Sequence, residues 1–265
     1  MKILFIGCGN MGCVIVKSMV KHFADYHIDV LLPSNSKSIE YVTNELKLKV
    51  YHEYPTAATY DIIFLAIKPQ TLLEILPALS QVTPLSTVIV SIAAGKTVQF
   101  FERYFPHNPI IRTMPNINIS VGHGATAAFA NKLARDVHIS TVDAIFTASG
   151  CAVWVTKESD IDVITAVSGS SPAYYFLFTE YLAQFGIKHG LAPDVAFKLA
   201  EESLIGTALT KLNSEETLTA LRQKITSPNG TTQAALEAFQ QDDALYDVTS
   251  GALTAAIKRA RELAD

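Results

Sequence analysis

The first dozen residues limit the possible fold of this chain more than any other stretch. A short apolar run at 2–6 is followed by the sequence G-C-G-N-M-G at 7–12, and a helical pattern begins directly after it. Strand, glycine loop and helix in this order are the context in which G-x-G-x-x-G predicts a dinucleotide-binding unit. The alternative is a glycine-rich turn between strand and helix that binds no ligand.

Each of the three glycines is expected to have a separate task. Gly7 would make the tight turn, Gly9 would let the backbone approach a pyrophosphate, and Gly12 would let the helix pack against the strand. The phosphates would lie at the helix N-terminus, where free N–H groups and the helix dipole favour negative charge.

Composition excludes several other classes of protein. The 265 residues are 49% hydrophobic and 17% charged, which is enough apolar material for one large or two ordinary folded domains. A net charge of -4 without a Lys/Arg cluster argues against a nucleic-acid partner. The sequence contains no apolar stretch long enough to span a membrane and no secretion signal, so we expect a cytoplasmic protein without a membrane partner.

The three cysteines, Cys8, Cys13 and Cys151, are odd in number and lack the spacing of metal ligands. We therefore expect them to be reduced and expect no metal site. A redox pair formed by Cys8 and Cys13 is the alternative.

Strand and helix patterns alternate as far as residue 155, and long amphipathic helices follow from about residue 157. One of the predicted helices of the first part covers 39–46. This alternation predicts an α/β Rossmann domain with a mostly parallel, doubly wound sheet over 1–157. The helical remainder, 158–265, predicts an all-α domain.

Three loops follow predicted parallel strands and should meet at one edge of the sheet. They are the glycine loop, Lys68 with Pro69, and the segment that begins at Ala93. Because ligands of open α/β sheets bind beyond the carboxyl ends of strands, we expect Lys68, Pro69 and Ala93 to contact the cofactor. The alternative for Lys68 is a solvated lysine that ends its strand.

The residues after the second strand indicate which dinucleotide binds. An Asp or Glu there would bind the ribose 2′-hydroxyl of NAD, but this chain has Ser34, Asn35, Ser36 and Lys37. Hydroxyl, amide and ammonium donors suit a 2′-phosphate, so we predict NADP(H) as the preferred cofactor and NAD(H) as the alternative one. The turn could equally be a solvated helix cap.

Two donor-rich loops interrupt the helical part, at 167–174 and at 225–232. Pro172 stands where it can begin the next helix. The second loop opens a helix whose N-terminus could bind a carboxylate. Ordinary helix capping is the alternative for both loops.

Five motifs, in order, resemble the pyrroline-5-carboxylate reductase family over nearly the whole chain. They are G-C-G-N-M-G at 7–12, A-I-K-P at 66–69, R-T-M-P-N at 112–116, S-G-S-S-P-A-Y at 168–174 and S-P-N-G-T-T at 227–232. The resemblance implies a Rossmann domain followed by a helical domain through which two subunits form a homodimer, with assembly into a higher oligomer as a further option. It also implies reduction of 1-pyrroline-5-carboxylate to L-proline by NAD(P)H, the last step of proline synthesis.

The same resemblance implies roles for individual residues. The implied dinucleotide contacts are Gly7, Gly9, Asn10, Met11, Gly12, Ser34, Asn35, Ala66, Lys68 and Asn116. The implied substrate contacts are Ser168, Gly169, Ser227, Gly230, Thr231 and Thr232. The chain departs from the family pattern at Glu53, Ile117, Asn118, Ser171 and Asn229.

We expect hydride to pass from the nicotinamide to the imine carbon, with Thr232 as the candidate catalytic residue, hydrogen-bonded to the ring nitrogen. A protonated imine brings its own proton, so a strong side-chain acid is not required. One rival is another imine or hydroxy-acid reductase of the same superfamily, and the absence of Lys from 161–187 argues against the hydroxy-acid enzymes. The other rival is a non-catalytic NADPH-binding regulator.

Overall fold

The computed structural model describes residues 1–55 and 58–263. Its main feature is one eight-stranded sheet, with strand order β3-β2-β1-β4-β5-β6-β7-β8. The strands are β1 (Lys2–Ile6), β2 (His27–Leu31), β3 (Lys49–Tyr51), β4 (Ile62–Leu65), β5 (Val88–Ser91), β6 (Ile110–Met114), β7 (Gly124–Ala130) and β8 (Gly150–Trp154). All neighbouring strands are parallel except β6 and β7.

Helices cover both faces of this sheet. They are α1 (Asn10–His22), α2 (Pro69–Val82), α3 (Val98–Glu102), α4 (Asp136–Thr147) and α5 (Asp160–Ile164). Alternate residues of β1 enter two separate cores, so that Phe5 packs with α1 and α4 while Leu4 packs with α2 and α3. Residues buried on both faces are typical of a central parallel strand. The predicted mostly parallel, doubly wound α/β fold is confirmed.

Two short π-helical turns replace predicted α-helical structure. One covers Tyr41–Glu45, where the Leu46 N–H bonds to the Tyr41 carbonyl at 3.1 Å and Lys47 then adopts a positive φ of 56°. The prediction of an ordinary helix over 39–46 is therefore wrong in type. The second π-turn covers Thr165–Gly169 and directly follows α5. A 3₁₀ turn at Ile117–Val121, which the sequence did not indicate, follows β6.

The remaining helices are α6 (Ser171–Lys188), α7 (Pro193–Leu212), α8 (Leu218–Lys224), α9 (Thr231–Gln240) and α10 (Ala244–Glu262). The chain divides into two compact units, one of Met1–Ser170 with the segment from Ala256 onward, and the other of Ser171–Ala255. Within the second unit, α6 and α7 pack through small side chains, and the buried cluster is Ala183, Ala196 and Ala200.

The second unit carries many large apolar side chains on its surface. On α6 alone, Tyr175, Phe176 and Phe185 are 61%, 57% and 64% exposed. Such a large exposed apolar surface is typical of a protein–protein interface. Within 1–55 and 58–263, every helix is too short or too polar to cross a bilayer.

Candidate active site

The three glycines of the loop between β1 and α1 have different surroundings. Gly7 has a φ of +92°, and a Cβ there would stand 2.5 Å from the Ala66 carbonyl oxygen. At Gly12, a Cβ would stand 3.0 Å from the Ala66 Cβ, because α1 passes directly over the end of β4. At Gly9, by contrast, a Cβ would meet no atom within 4 Å. The loop is thus closely packed at both ends and open in the middle.

The open position lies at the N-terminus of α1. Gly9 is the N-cap residue and has no side chain that could bond to the first N–H groups of the helix. Its extended backbone, with φ of −76° and ψ of −170°, leaves those N–H groups directed toward the open space. This is the arrangement that binds phosphate at helix N-termini, so the residues present fit the pyrophosphate of a dinucleotide.

The turn after β2 is attached to the glycine loop. The Ser38 hydroxyl donates to the Cys8 carbonyl at 2.6 Å, and the Ser36 N–H donates to the Pro33 carbonyl at 2.9 Å. Ser34 and Asn35 are exposed at the tip of this turn. Their side chains are therefore accessible to a ligand that lies on the glycine loop.

Cys8 and Cys13 are joined in a disulfide, with their Cα atoms 4.8 Å apart, while Cys151 is free and exposed. The prediction that all three cysteines are reduced is wrong for this pair. The cause is local, since the glycine turn brings residue 8 next to the first turn of α1, where residue 13 lies.

The ends of β4 and β5 differ in accessibility. Lys68 is exposed and is the N-cap residue of α2, with Pro69 in the first turn of that helix. Ala93 is 5% exposed, and its N–H donates to the Ser91 hydroxyl at 3.1 Å. Of these predicted cofactor residues, Lys68 presents a free surface and Ala93 is packed inside.

Asn116, just beyond β6, is buried and hydrogen-bonded in two directions. Its Oδ1 accepts from the N–H groups of Ala125 at 3.1 Å and Asn118 at 3.3 Å. Its Nδ2 donates to the Ser168 carbonyl at 3.0 Å, in the second π-turn. Next to Ser168 in that turn, Gly169 lies against the Met114 side chain. The end of β6 and the π-turn therefore form one structure.

Arg112, in the middle of β6, is paired with two carboxylates. Its guanidinium contacts Glu158 at 3.1 Å and Asp162 at 3.2 Å, and its side chain is 5% exposed. Glu158 also accepts from the Val98 N–H at 2.7 Å, at the start of α3. Charge-assisted bonds of this kind are stronger than neutral ones and fix the start of α5 against the sheet.

In the second unit, the loop before α9 forms a tight turn. The Gly230 N–H donates to the Ser227 carbonyl at 3.0 Å, and Asn229 adopts a left-handed φ of 58°. Asn tolerates this conformation better than most residues, which explains how it can stand where the family pattern has glycine. Gly230 is the N-cap residue of α9, and Thr232 is half-buried within the first turn.

A comparison with family models divides the chain in a similar way. Residues 2–95 match the family described as NADP oxidoreductase, coenzyme F420-dependent. Residues 158–263 match the family described as pyrroline-5-carboxylate reductase dimerisation.

Full-length relatives agree with these matches. The chain is 33% identical to pyrroline-5-carboxylate reductase of Pseudomonas aeruginosa, over 100% of this chain and 97% of that protein. It is 34% identical to pyrroline-5-carboxylate reductase of Synechocystis, over 97% of this chain and 96% of that protein. The chain belongs to the pyrroline-5-carboxylate reductase family.

Solved structures of the family share the fold. The structure of a pyrroline-5-carboxylate reductase from Coxiella burnetii matches with a TM-score of 0.90 at 33% identity, over 99% of this chain and 98% of that one. The Plasmodium falciparum pyrroline carboxylate reductase with NADP bound matches with a TM-score of 0.81 at 25% identity, over 100% and 98%.

Sequence reasoning missed two features of this pyrroline-5-carboxylate reductase family member. One is the disulfide, which the sequence left as the alternative because the five-residue spacing was only a weak signal. The other is the attachment of the segment 158–169 to β6 through Arg112 and Asn116. The run R-T-M-P-N was singled out, but its partners lie about fifty residues away and no local pattern indicates them.

A cavity of about 350 Å³ lies beside the carboxyl ends of β1 and β2. Ile6 and Leu31 line it from the sheet, Ile75 and Glu74 from α2, and Glu53 from the loop after β3. Glu53 is one of the departures from the family pattern. It brings a carboxylate to this cavity, where a phosphate would be repelled.

Proposed function

We propose that this chain uses NADPH to reduce 1-pyrroline-5-carboxylate to L-proline. The enzyme class follows from the family: the chain is an oxidoreductase that acts on an imine. The observation that carries the finer proposal is the glycine loop, which is open only at Gly9 and has the free N-terminus of α1 behind it.

The chemistry requires little from the protein besides position and electrostatics. When bound, the dinucleotide supplies a hydride to the imine carbon. The C=N bond becomes a C–N single bond, and the proton carried by the protonated imine remains on nitrogen as the amine forms. The glycine loop holds the pyrophosphate through α1 N–H groups, and the exposed Lys68 lies at the same edge of the sheet.

The substrate carboxylate is proposed to bind at the N-terminus of α9. Gly230 is the N-cap residue of that helix, and the N–H groups of Thr231 and Thr232 begin it without a side-chain cap, so the helix dipole favours an anion there. We assign to Thr232 a hydrogen bond with the ring nitrogen and to Ser227 a contact with the carboxylate. Ser168 and Gly169 are proposed as further substrate contacts.

Thr232→Ala tests the catalytic assignment. If the hydroxyl orients the ring nitrogen, kcat should fall by about tenfold or more, as expected for one lost hydrogen bond to a charged group. Thr231→Ala is the matched control, since Thr231 is exposed and is assigned only through its backbone. Equal kcat values for the two variants would remove Thr232 from the catalytic role.

Preference for NADPH rests on the turn after β2. Ser34, Asn35 and Lys37 are exposed there and provide donors without a carboxylate, which suits a 2′-phosphate. The carboxylates of Glu53 and Glu74 line the neighbouring cavity, so we place the phosphate at the turn and not in the cavity. Lys37→Ala should lower kcat/KM for NADPH and leave the value for NADH unchanged.

We further propose a homodimer formed through the helical part, with the functional boundary between 157 and 158. The dimerisation model matches from 158 onward, and α6 exposes Tyr175, Phe176 and Phe185. Sedimentation analysis should give twice the chain mass or an even multiple of it. The cytoplasmic location stays a prediction from the sequence.

The deciding experiment is NADPH oxidation with 1-pyrroline-5-carboxylate, followed by the absorbance of NADPH and repeated with NADH. Turnover with proline as product would support the proposal, and the ratio of the two kcat/KM values would test the assignment of Ser34 and Lys37. NADPH binding without turnover would favour a non-catalytic regulator instead.

A further inference from the structure

We propose that Asn116 is a positioning residue for the substrate pocket: its amide holds the π-turn Thr165–Gly169 in place by bonding the Ser168 carbonyl. This inference rests on the proposed function, in which Ser168 and Gly169 are substrate contacts. The buried amide of Asn116 then bonds to the backbone of the π-turn, which is a different role from a side-chain contact with the dinucleotide.

The first step is the contact between Asn116 and the Ser168 carbonyl. In a regular helix this carbonyl would accept from the N–H four residues later. That residue is Pro172, which has no N–H. The Asn116 Nδ2 lies 3.0 Å from the same carbonyl oxygen and donates to it. The amide of Asn116 is therefore a side-chain donor to a carbonyl that has no N–H at the usual fourth position.

The second step is the orientation of the amide. Its Oδ1 accepts from the Ala125 N–H at 3.1 Å and the Asn118 N–H at 3.3 Å, and Asn116 is 4% exposed. Two backbone donors on the oxygen leave only the nitrogen to face Ser168. The side chain is therefore a fixed link between β6, β7 and the π-turn.

The third step is the shape of the π-turn. The Ser170 N–H bonds to the Thr165 carbonyl at 2.9 Å, five residues back, so the turn is wider than an α-helix. A single π-turn inside a helical segment is frequently found at functional sites. Arg112 holds the other end of the same segment through Glu158 and Asp162. One strand therefore fixes both ends of the segment that carries Ser168 and Gly169.

Asn116→Asp removes only the hydrogen bond that the side chain donates to the Ser168 carbonyl. The substitution keeps the shape and both acceptor bonds, but it replaces the donor with an oxygen that faces the Ser168 carbonyl. We expect kcat/KM for the imine to fall about tenfold or more, because a 1 Å shift at a pocket wall has effects of that order. The Kd for NADPH, measured by fluorescence titration, should change by less than about twofold, in keeping with a role at the imine and not at the dinucleotide.

Asn131→Asp is the matched control. Asn131 is also buried, at 7%, accepts from the Ile110 N–H at 3.0 Å and donates to the Asn108 carbonyl at 3.1 Å. It lies at the opposite end of β6, so its replacement should lower stability without changing the KM for the imine. Equal effects of the two variants on KM would overturn the inference.

Hydrogen exchange of the Ser170 amide gives a readout that needs no activity. It should exchange faster in Asn116→Asp than in Asn131→Asp, and equal rates would overturn the inference. If the wild-type chain did not turn over the imine, the proposed function would fail, and the exchange measurement would still decide whether Asn116 holds the π-turn.

Discussion

Replacing Gly9 and Gly12 with alanine, one at a time, should separate cofactor binding from folding. At Gly9 a Cβ meets no protein atom within 4 Å, and the extended backbone there is open to alanine. The cost to the free energy of unfolding is therefore that of a poorer N-cap, less than about 1 kcal/mol.

The same methyl group would project into the space assigned to the pyrophosphate. Losing one hydrogen bond between an α1 N–H and a phosphate oxygen costs about 1.5–3 kcal/mol. The Kd for NADPH should then rise roughly ten- to hundredfold in Gly9→Ala.

Gly12→Ala should lower the free energy of unfolding more than Gly9→Ala does. Its Cβ would stand 3.0 Å from the Ala66 Cβ and 3.3 Å from the Gly7 carbonyl oxygen, so α1 must move away from β4. Overpacking of this kind costs about 1–3 kcal/mol of stability. Urea unfolding without cofactor and fluorescence titration with NADPH measure the two quantities. Wild-type affinity in a folded Gly9→Ala variant would refute the path assigned to the pyrophosphate.

Three further predictions concern the sheet unit. Arg112→Met removes the Arg112 ion pairs of Glu158 and Asp162 and leaves Asp162 its 3.9 Å contact with Arg261, so it should lower the free energy of unfolding by about 3 kcal/mol, seen as a lower urea midpoint; an unchanged midpoint would contradict it. Alkylation followed by mass spectrometry should label only Cys151 before a reductant is added and all three cysteines of the unfolded chain afterwards. Burial, with a hydrogen bond to Asp29, raises the pKa of Tyr60 above 10.0, so the folded form keeps a proton that the unfolded chain loses. Stability should therefore fall as pH rises above about 10, and Tyr60→Phe should reduce the slope of Tm against pH; an equal slope would exclude this cause.

The sequence predicted those features whose cause is local. The glycine loop was recognisable because Gly7 needs a positive φ and Gly12 needs close packing, and both needs appear within one strand, turn and helix. The strand that ends before Lys68 was also predicted as a parallel strand, and it is β4. The N-terminus of α9 was also predicted from the loop at 225–232.

Features that depend on distant partners could not be predicted. The π-turn at Tyr41–Glu45 has the apolar spacing of an ordinary helix, and only its hydrogen bond from Leu46 to Tyr41 distinguishes the two. Asn116 was identified by its motif, but its bond to Ser168 crosses 52 positions in the chain. A pairing of that range is decided by the packing of the sheet.

The reversal between β6 and β7 determines where the chain leaves the sheet. Because β7 and β8 run opposite to β6, β8 ends at the edge away from the glycine loop, and the next segment must travel back. The ten helical residues Asp160–Gly169 rise about 15 Å, and a five-residue strand spans about 17 Å. The length of the segment from Glu158 to Gly169 therefore matches the length of β6, along which the chain returns. A one-residue insertion in it would turn its far end by about 100°, so this stretch should be the least tolerant of length change among the connections of the fold.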